Sequence, residues 1–558
     1  MYTINDLLAV FRFFPGFSLA GGIRGTPGVD NLRLECYNFV MMKNLPLSIQ
    51  TFRDIITQGY LYIDKTKEIY NLYARGGKYY FFSRPRRFGK SLLISTLKEI
   101  FSGNKELFKG LWIYDKIEDT TYPVIHIDFL GLKYRSEKEL EDSLEYLIDQ
   151  NAAAHGIELQ QKGYDKRFRE LIMEAFKKNP VVILVDEYDK PVIDFIETDS
   201  KDIARANQKV LKTFYSIIKS MDQYTRFIFI TGVSKFSKVS VFSDLNTLID
   251  ITLYDDFSTL LGYTEEELKH YFSPYLKRTT EKMGMSEASL LKSIRKWYNG
   301  YSWDGNNFVY NPFSILSFFN ANSFGNFWFS TGTPTFLIKL IKSQQVEIME
   351  FENLLANHIT FDCFDIDNMD VTSLLFQTGY MTIKKVTIEN HEKTYELTYP
   401  NHEVRSSFLT HLLGMYTQKK SAFQLRLLKN IGQAVETGDL DRLIKEIKSL
   451  FASIPYHIFI GEREAYYHSI IYLVLSLSGI DVRTEEPTNT GRIDAVLEVG
   501  NKIYILEFKM GSESEALAQI KEMKYYEKYL GKGKEIVLVG IGFDQEKRNI
   551  GNYLMESL

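Results

Sequence analysis

Phosphate chemistry is indicated first by the stretch KYYFFSRPRRFGKSLL at residues 78–93. An apolar strand is predicted at Tyr79–Ser83, followed by a tight loop and a helix that begins at Lys90 and Ser91, which is the order of a phosphate-binding loop. Gly89 lets the backbone approach a phosphate, and the first N–H groups of the helix point at such a ligand. Lys90 would then reach the β- and γ-phosphates of a nucleotide, and the Ser91 hydroxyl would ligate Mg²⁺.

The stretch departs from the pattern GxxxxGK[ST] at one position, because Arg84 replaces the first glycine. A non-glycine residue in a left-handed conformation costs about 1–2 kcal/mol. Pro85 pushes the preceding residue into an extended conformation, so we expect the loop to enter extended and to turn later. Arg84, Arg86 and Arg87 would add cations beside Lys90, which suits a polyphosphate. The alternative is a solvated basic turn before an ordinary helix.

Two acidic residues follow the short apolar run Val181–Val185, which is typical of a strand buried on both faces of a parallel sheet. Ligands bind at the carboxyl ends of such strands. Asp186 would hold Mg²⁺, and Glu187 would polarise the attacking water. The alternative is an acidic, solvated turn.

A further strand is predicted at Arg226–Thr231, and either Thr231 or Ser234 could sense the γ-phosphate from its end. This extra strand is expected to lie between the phosphate-loop strand and the Asp186 strand. That order favours an ATPase of the additional-strand type over a kinase or a GTPase. Arg226 and Arg405 are candidates for an arginine finger.

A second chemistry is indicated near the C-terminus by Asp494, Glu507 and Lys509. Gly500-Asn501 predicts a two-residue hairpin, which would pair Val499 with Lys502 and place Asp494 opposite Glu507. Their Cβ atoms would be about 4.5–5.5 Å apart. Two carboxylates so placed repel each other unless a cation or a proton lies between them, so a metal site is predicted. Lys509 points to the same face.

The opposite face of this hairpin is expected to be core: Ile493, Ala495, Leu497, Val499, Tyr504, Leu506 and Phe508. Glu464 and His468 are four residues apart on a helical stretch, hence on one face. Gln519 lies in a helix predicted at Glu513–Tyr529. The lysines of that helix could touch phosphates, although a solvated charged face is the favoured interpretation.

Five segments are predicted along the chain. Residues 1–41 lack periodicity and are interpreted as a disordered leader, such as a misplaced start codon would add. Residues 42–256 alternate strands and helices, as a doubly wound parallel sheet does. A helical lid with an aromatic core is expected at 257–345, a mixed wing with a strand pair and a helical connector at 346–450, and a last α/β domain at 451–558.

Composition is that of a globular protein, with 45% hydrophobic and 25% charged residues. The net charge of −4 provides no global attraction to nucleic acid or membrane, so such binding would need a local patch. Cys36 and Cys363 make a disulfide framework unexpected and fit a reducing, cytoplasmic location. No apolar run approaches the ~20 residues of a membrane span.

Both sets of motifs together resemble a prokaryotic family in which an AAA-ATPase-like domain precedes a PD-(D/E)xK nuclease domain. The stretches LPLSIQTF, YLYIDKT, SRPRRFGKSLL, VDEYDKP and FITGVSKFSKVSVFSDLN are similar to the ATPase half, and GRIDAVLE, YILEFKM and Gln519-Ile520 to the nuclease half. In that family an Arg84-type replacement is usual. The resemblance covers the chain from about Leu45 onward and implies a P-loop NTPase sheet followed by a restriction-endonuclease-like α/β domain.

The resemblance also implies ATP binding and Mg²⁺-dependent phosphodiester cleavage, with a nucleic acid as partner, DNA favoured over RNA, and with a homo-oligomer left open. Carried over residue by residue, it assigns Lys90, Ser91, Asp186 and Glu187 to ATP, and Glu464, Asp494, Glu507, Lys509 and Gln519 to cleavage. The nucleotide site predicted from the sequence also includes Arg86, Arg87, Gly89, Leu92 and Thr231. Ile493-Asp494 stands where the family's literal Pro-Asp would be.

Two other functions remain open from the sequence. One is a nucleotide-driven switch whose catalytically silent C-terminal domain binds a partner. The other is an ATPase motor whose last domain only grips nucleic acid. Competent residues at all nuclease positions favour an ATP-dependent or ATP-gated nuclease over both.

Overall fold

The computed structural model describes residues 42–196, 200–235, 242, 245, 247–329, 335–344, 348–362, 369–419, 421–454, 464–479, 482–488 and 491–558. The leader predicted at residues 1–41 lies outside these ranges. Among the described helices, none has both the length and the apolar character needed to cross a bilayer.

The first part of the chain alternates strands and helices as expected. Its strands are β1 (Tyr79–Ser83), β2 (Val124–Asp128), β3 (Val181–Asp186), β4 (Thr225–Gly232) and β5 (Ile249–Asp250). Its helices are α1 (Phe52–Thr57), α2 (Thr66–Ala74), α3 (Lys90–Phe101), α4 (Glu137–His155), α5 (Tyr164–Phe176), α6 (Lys190–Ile193) and α7 (Lys201–Ser220). Every residue of β1 and β3 is buried, because helices cover both faces of the sheet.

Within the described residues this sheet has five strands in the order β2-β3-β4-β1-β5, and each pairing is parallel. Strand β4 lies between the phosphate-loop strand β1 and the Asp186 strand β3. The predicted additional-strand order is therefore confirmed. The carboxyl ends of β1, β3 and β4 meet at one edge, where ligands bind in open α/β sheets.

An aromatic helical region follows. It contains α8 (Glu265–Tyr271), α9 (Ser273–Met283), α10 (Glu287–Tyr298), β6 (Asn299–Tyr301), β7 (Val309–Tyr310) and α11 (Pro312–Ala321). Helices α8 and α9 are separate, because Pro274 in the first turn of α9 starts a new helix after Tyr271. Tyr298, Tyr301 and Trp303 are buried, which confirms a core role for this aromatic cluster.

The wing and connector come next along the chain. They contain α12 (Thr335–Gln344), β8 (Leu354–Asn357), α13 (His358–Asp362), α14 (Val371–Thr378), β9 (Thr382–Glu389), β10 (Glu392–Thr398), α15 (His402–Thr417), α16 (Ser421–Glu436) and α17 (Leu440–Ala452). The predicted strand pair is the β9–β10 hairpin, to which β8 adds a third strand. The connector is two helices, and Gly438 turns the chain between them with φ 70°.

The C-terminal part contains α18 (Glu464–Leu477), β11 (Val482–Pro487), β12 (Arg492–Val499), β13 (Lys502–Met510), α19 (Glu513–Glu522), β14 (Glu535–Asp544) and β15 (Asn549–Ser557). These strands lie in chain order, with β13 and β14 parallel and the other pairs antiparallel. The helix predicted over Glu513–Tyr529 ends at Glu522, because Lys524 takes a left-handed conformation before a short 3₁₀ turn at Tyr525–Tyr529.

Both faces of this second sheet are buried. The face predicted as core packs into the hydrophobic cluster that includes α18, through Ala495, Leu497, Tyr504, Leu506 and Phe508. The prediction for Ile493 is wrong, since Ile493 packs in the cluster on the other face with Val496, Ile503, Ile505 and Ile520. The face that carries Glu507 is therefore covered by α19 and the 3₁₀ turn.

Candidate active sites

The phosphate loop, residues 84–91, leaves β1 and ends in the first turn of α3. Arg84 is not among the residues with positive φ, whereas Arg87 has φ 68° and Gly89 has φ 96°. The expectation that the loop turns late is thus confirmed. A Cβ at position 89 would meet nothing within 4 Å, so glycine is not needed there for reasons of space. Glycine is favoured because the backbone at this position is left-handed.

Arg84 does not add a cation beside Lys90, so that prediction is wrong. Its side chain is 1% exposed, and its guanidinium donates to the carbonyls of Ser83 and Thr252 through Nη1 (2.9 and 3.0 Å) and of Phe257 through Nη2 (3.1 Å). It lies 3.8 Å from the ring centroid of Trp303. Burial lowers the pKa of this guanidinium well below its ordinary value. Arg84 is a structural cation that fixes the loop's first residue.

Lys90 is buried within the loop. Its Nζ donates to the carbonyls of Arg84 (2.9 Å) and Pro85 (3.1 Å). Burial lowers the pKa of Lys90, and the charges of Asp186 and Glu187 oppose that change. The ammonium group therefore lies between the loop carbonyls and the acidic ends of the neighbouring strands.

Acidic residues gather at the carboxyl end of β3. The Asp186 carboxylate is 2% exposed, and the nearby Ser91 side chain lowers its pKa. Burial is the main cause that raises the pKa of Asp186 and of Glu187. Asp128 ends the neighbouring strand β2 in register with Asp186 and carries a pKa also raised by burial. The analysis of motifs missed Asp128, although its position at a strand end could have indicated it.

Glu187 takes a left-handed conformation with φ 48°. A non-glycine residue held in this region stores strain, and such strain clusters at functional sites. Its own N–H donates to Asp186 Oδ1 at 3.0 Å. The backbone thus turns sharply at Glu187, and its half-buried side chain lies near the charge of Lys90.

The two candidate sensor residues are both hydrogen-bonded inside the protein. The Thr231 hydroxyl donates to the carbonyl of Phe82 at 2.8 Å. The Ser234 hydroxyl and N–H both donate to Asp189 Oδ2 at 2.7 Å. Asp189 therefore ties the turn after β4 to the turn after β3. The assignment of Thr231 to the nucleotide stays a prediction.

The remaining arginine candidates differ in exposure. Arg86 and Arg87 are exposed, as phosphate-binding cations would be, and the Arg87 guanidinium lies 4.6 Å from the Phe313 ring centroid. Arg405 is held by Glu352 through Nε (3.0 Å) and Nη2 (2.8 Å), which argues against its use as an arginine finger. Arg226 belongs to β4, at the end opposite to the phosphate loop.

An open-sided cleft adjoins the N-terminus of α3. Gly89 and Leu92 line it from the phosphate-loop side. Tyr62 and Lys65 line it from the chain before β1, and Tyr263 from the chain after β5. The cleft thus begins where a nucleotide's phosphates would end.

The hairpin site consists of Asp494, Glu507, Lys509 and Gln519. Val499 pairs with Lys502, and Ala495 with Leu506, so the predicted register is confirmed between these two pairs. One residue further along each strand are Asp494 and Glu507. Asp494 Oδ2 accepts a hydrogen bond from the N–H of Phe508 at 2.8 Å, which ties its carboxylate to the strand that carries Glu507.

Glu507 is the buried centre of the hairpin site, with 1% exposure. The Gln519 amide donates to Glu507 Oε1 and lies 3.4 Å from the Tyr525 hydroxyl. Lys509 Nζ lies 3.7 Å from the same oxygen of Glu507 and is one third exposed. The structure therefore brings together four of the five predicted residues. The side chain of the fifth, Glu464, lies outside the described residues.

His468, one turn after Glu464 on α18, faces the hairpin from the other side of the sheet. Its ring lies 4.9 Å from the ring of Phe508. Burial, together with the smaller effect of the charge of Lys509, lowers the pKa of His468 to about 4. At neutral pH this imidazole is uncharged and packs as part of the core.

Gly540 and Gly542 on β14 position Gln519, and the analysis of motifs did not find them. They stand in register with Glu507 and Lys509 on the neighbouring strand. A Cβ at Gly540 would lie 2.4 Å from the carbonyl oxygen of Glu513, and a Cβ at Gly542 would lie 2.8 Å from its nitrogen. Glycine at alternate positions of the strand lets α19 approach the sheet closely, which brings Gln519 to Glu507.

The oxygen donors of the hairpin site fit Mg²⁺. Among the described residues no group of three or more His, Cys, Asp or Glu side chains could hold a metal. Mg²⁺ does not need such a group, because it is usually bound by one or two carboxylates and keeps several waters. Asp494 and Glu507 would supply the two carboxylates.

Comparison with known proteins gives likeness in two ranges of the chain. The family described as "Predicted AAA-ATPase" matches residues 46–242, and the family described as "PD-(D/E)XK nuclease superfamily" matches residues 462–553. A relative from Azotobacter chroococcum mcd 1, named "Uncharacterized protein in vnfD 5'region", is 38% identical over 530 residues, which cover 92% of this chain and 99% of the relative.

Replacing Gly540 with alanine tests how the hairpin site is positioned. The new methyl group would collide with the backbone of α19 at Glu513 and Leu517. We expect a loss of about 1–3 kcal/mol in the free energy of unfolding, measured by urea denaturation. Gly551→Ala on β15 is the matched control, because its Cβ would meet no atom closer than 3.3 Å. Equal stability of both variants would contradict the close approach of α19.

Proposed function

Because the chain belongs to the family of AAA-ATPase-like proteins with a C-terminal PD-(D/E)XK nuclease domain, we propose that it hydrolyses ATP and uses a second, metal-dependent site to cleave nucleic acid. The observation that carries the proposal is the hairpin site. A buried glutamate contacts both a lysine and a glutamine beside an aspartate on the paired strand. A purely structural hairpin has no need to bury that set of charges.

In the ATPase half, the chain's own residues bind and orient the nucleotide. The N-terminal N–H groups of α3 face its phosphates, and Lys90 moves from the loop carbonyls to the β- and γ-phosphates. Ser91 and Asp186, which lie near each other, hold Mg²⁺. Glu187 orients the attacking water. Mg²⁺ neutralises charge on the phosphates when it is bound.

The cleft beside α3 accepts the base and ribose of the nucleotide. It is lined by apolar and aromatic side chains with few polar groups, as sites for flat ligands are. Lys65 is one such polar group, and its Nζ contacts Glu267 at 2.7 Å and the carbonyl of Thr259 at 2.9 Å. These contacts join the chain before β1 to the helical region, so the base would be held by both.

In the nuclease half, Asp494 and Glu507 hold a divalent metal together with the carbonyl of Phe508. The bound metal polarises the scissile phosphate and lowers the pKa of a water. Lys509 orients that water or stabilises the developing negative charge. Gln519 fixes the Glu507 carboxylate through its hydrogen bond, so the second carboxylate oxygen keeps one direction. Glu464 is proposed as the acidic residue contributed by α18.

Coupling of the two halves is supported by a cluster at Glu352, the last residue of a short 3₁₀ turn in the wing. Its Oε1 accepts hydrogen bonds from Arg405 of α15 and from the Tyr472 hydroxyl of α18, the latter at 2.6 Å. Helix α18 is the one that carries His468 against the hairpin. A shift of the wing would therefore reach the nuclease half through Tyr472.

Two variants test the ATPase half. Lys90→Ala removes the side chain aimed at the phosphates and should abolish ATP hydrolysis. Glu187→Gln removes the carboxylate that polarises water, so it should bind ATP but stop hydrolysis. Release of inorganic phosphate measures turnover, and the Kd of a fluorescent ATP analogue measures binding. Normal turnover in either variant would refute the ATPase assignment.

Three variants test the hairpin site with plasmid, single-stranded DNA and RNA in Mg²⁺ or Mn²⁺, with and without ATP. Asp494→Asn and Glu507→Gln should abolish cleavage. Asp494→Asn should keep the metal-free Tm, because an asparagine carbonyl still accepts from the N–H of Phe508. Lys509→Ala should abolish cleavage yet keep metal binding, measured by calorimetry. If the wild type cuts no nucleic acid in any condition, a partner-binding switch becomes the better account.

The coupling is tested with Tyr472→Phe, which removes only the hydroxyl bound to Glu352. We expect cleavage to lose most of its response to ATP while ATP hydrolysis keeps its kcat and KM. Tyr467→Phe is the matched control, because Tyr467 lies on the same helix and packs on Phe543. An unchanged ATP response in Tyr472→Phe would rule out this route.

A further inference from the structure

The phosphate loop is held from outside by residues much later in the chain. Phe88 packs edge-on against Tyr301 and Trp303, with ring centroids 4.8 and 5.5 Å apart. Arg84 and Arg87 lie against Trp303 and Phe313. Contacts of this kind restrict the loop at its first, fourth and fifth residues.

The second and third residues of the loop, Pro85 and Arg86, are held by Trp328 of the aromatic helical region and by Gly379 of the wing. The indole Nε1–H of Trp328 donates to the carbonyl of Arg86 at 3.0 Å. Gly379, in a left-handed conformation with φ 90°, lies so close that a Cβ there would be 2.7 Å from the Pro85 ring. The same added atom would lie 3.4 Å from Trp328. Trp328 and Gly379 therefore form one surface against the loop.

Trp328 is in turn fixed by Glu403, in the first turn of α15. The backbone N–H of Trp328 donates to Glu403 Oε1 at 2.6 Å, and the Ser314 hydroxyl donates to Glu403 Oε2 at 2.7 Å. Glu403 is 1% exposed, and burial raises its pKa to about 7. A carboxyl group buried at such a cost is retained where its hydrogen bonds fix a geometry. Both of its oxygens here hold residues that surround the phosphate loop.

We propose that Trp328 and Glu403 are positioning residues of the nucleotide site, acting through the carbonyl of Arg86 to set the direction of the loop's N–H groups and of Arg86 itself. A peptide unit is planar, so a hydrogen bond that fixes the Arg86 carbonyl also fixes the N–H of Arg87 on the other side of that unit. Arg87 has the left-handed φ of the loop, where the chain turns toward α3. The proposal rests on the proposed function, since it assigns these two residues to ATP.

The test uses Trp328→Phe in the full-length chain, because this change removes the indole N–H and keeps an aromatic ring. One neutral hydrogen bond corresponds to about 2–10-fold in an equilibrium constant. We expect the KM for ATP and the Kd of a fluorescent ATP analogue to rise about 2–10-fold, with kcat changed less. Trp112→Phe is the matched control, because Trp112 is 39% exposed and packs on Tyr70, away from the loop.

Glu403 is tested by a pair of substitutions. Glu403→Ala removes the side chain that accepts from the N–H of Trp328 and should raise the KM for ATP as Trp328→Phe does. Glu403→Gln keeps an acceptor oxygen, so its KM for ATP should stay near that of the wild type. If Glu403→Ala fails to fold, Trp328→Phe still decides. An unchanged KM and Kd in Trp328→Phe, with wild-type ATPase activity intact, would overturn the inference. If the ATPase assignment itself were wrong, the result would be different: the wild type would hydrolyse ATP no faster than Lys90→Ala.

Discussion

The contacts between the phosphate loop and the aromatic residues after position 256 are the constraint on which the nucleotide site depends. A glycine-rich loop reaches its conformation because glycine permits left-handed dihedrals. Here the residue at the first glycine position is Arg84, and its guanidinium is bound by three carbonyls under the ring of Trp303. Packing thus takes the place of glycine's conformational freedom. Contacts with the rest of the protein, rather than the loop's own sequence, set the conformation of the loop.

The hairpin site depends on a comparable constraint, the close approach of α19 to β14. Gly540 stands beside Glu507 in the sheet, and the space of its missing side chain is taken by the backbone of Glu513. This packing brings Gln519 onto a carboxylate that is almost wholly buried. Burying an ionised carboxylate is costly unless it is hydrogen-bonded and paired. Gln519 supplies the hydrogen bond and Lys509 the opposite charge, and a bound cation would stabilise the carboxylate further.

Patterns within a short stretch of sequence predicted the strands and turns that depend only on neighbouring residues. Strand β1 was expected at Tyr79–Ser83 and lies there, because a short apolar run before Gly89 and Lys90 has few alternatives. The hairpin register followed from counting back from Gly500. The direction of Arg84 could not be predicted, since its partners Thr252 and Phe257 lie 168 and 173 residues later. The position of Ile493 was missed because strict alternation places it with Ala495, whereas the two residues pack in clusters on opposite faces of the sheet.

These constraints also explain why the two halves of the chain are linked. Glu403 and Arg405 lie in the first turn and a half of α15, two residues apart. Glu403 holds Trp328 against the phosphate loop, and Arg405 shares Glu352 with Tyr472 of the first helix of the nuclease half. A loop shaped by its own glycines could change conformation without disturbing any other part of the protein. A loop shaped by α15 and its partners cannot, because any movement of the Arg86 carbonyl must be accommodated by Trp328, by Glu403 and by the helix that bears it. The arginine at position 84 and the proposed response of the hairpin site to ATP would therefore both depend on the same packing.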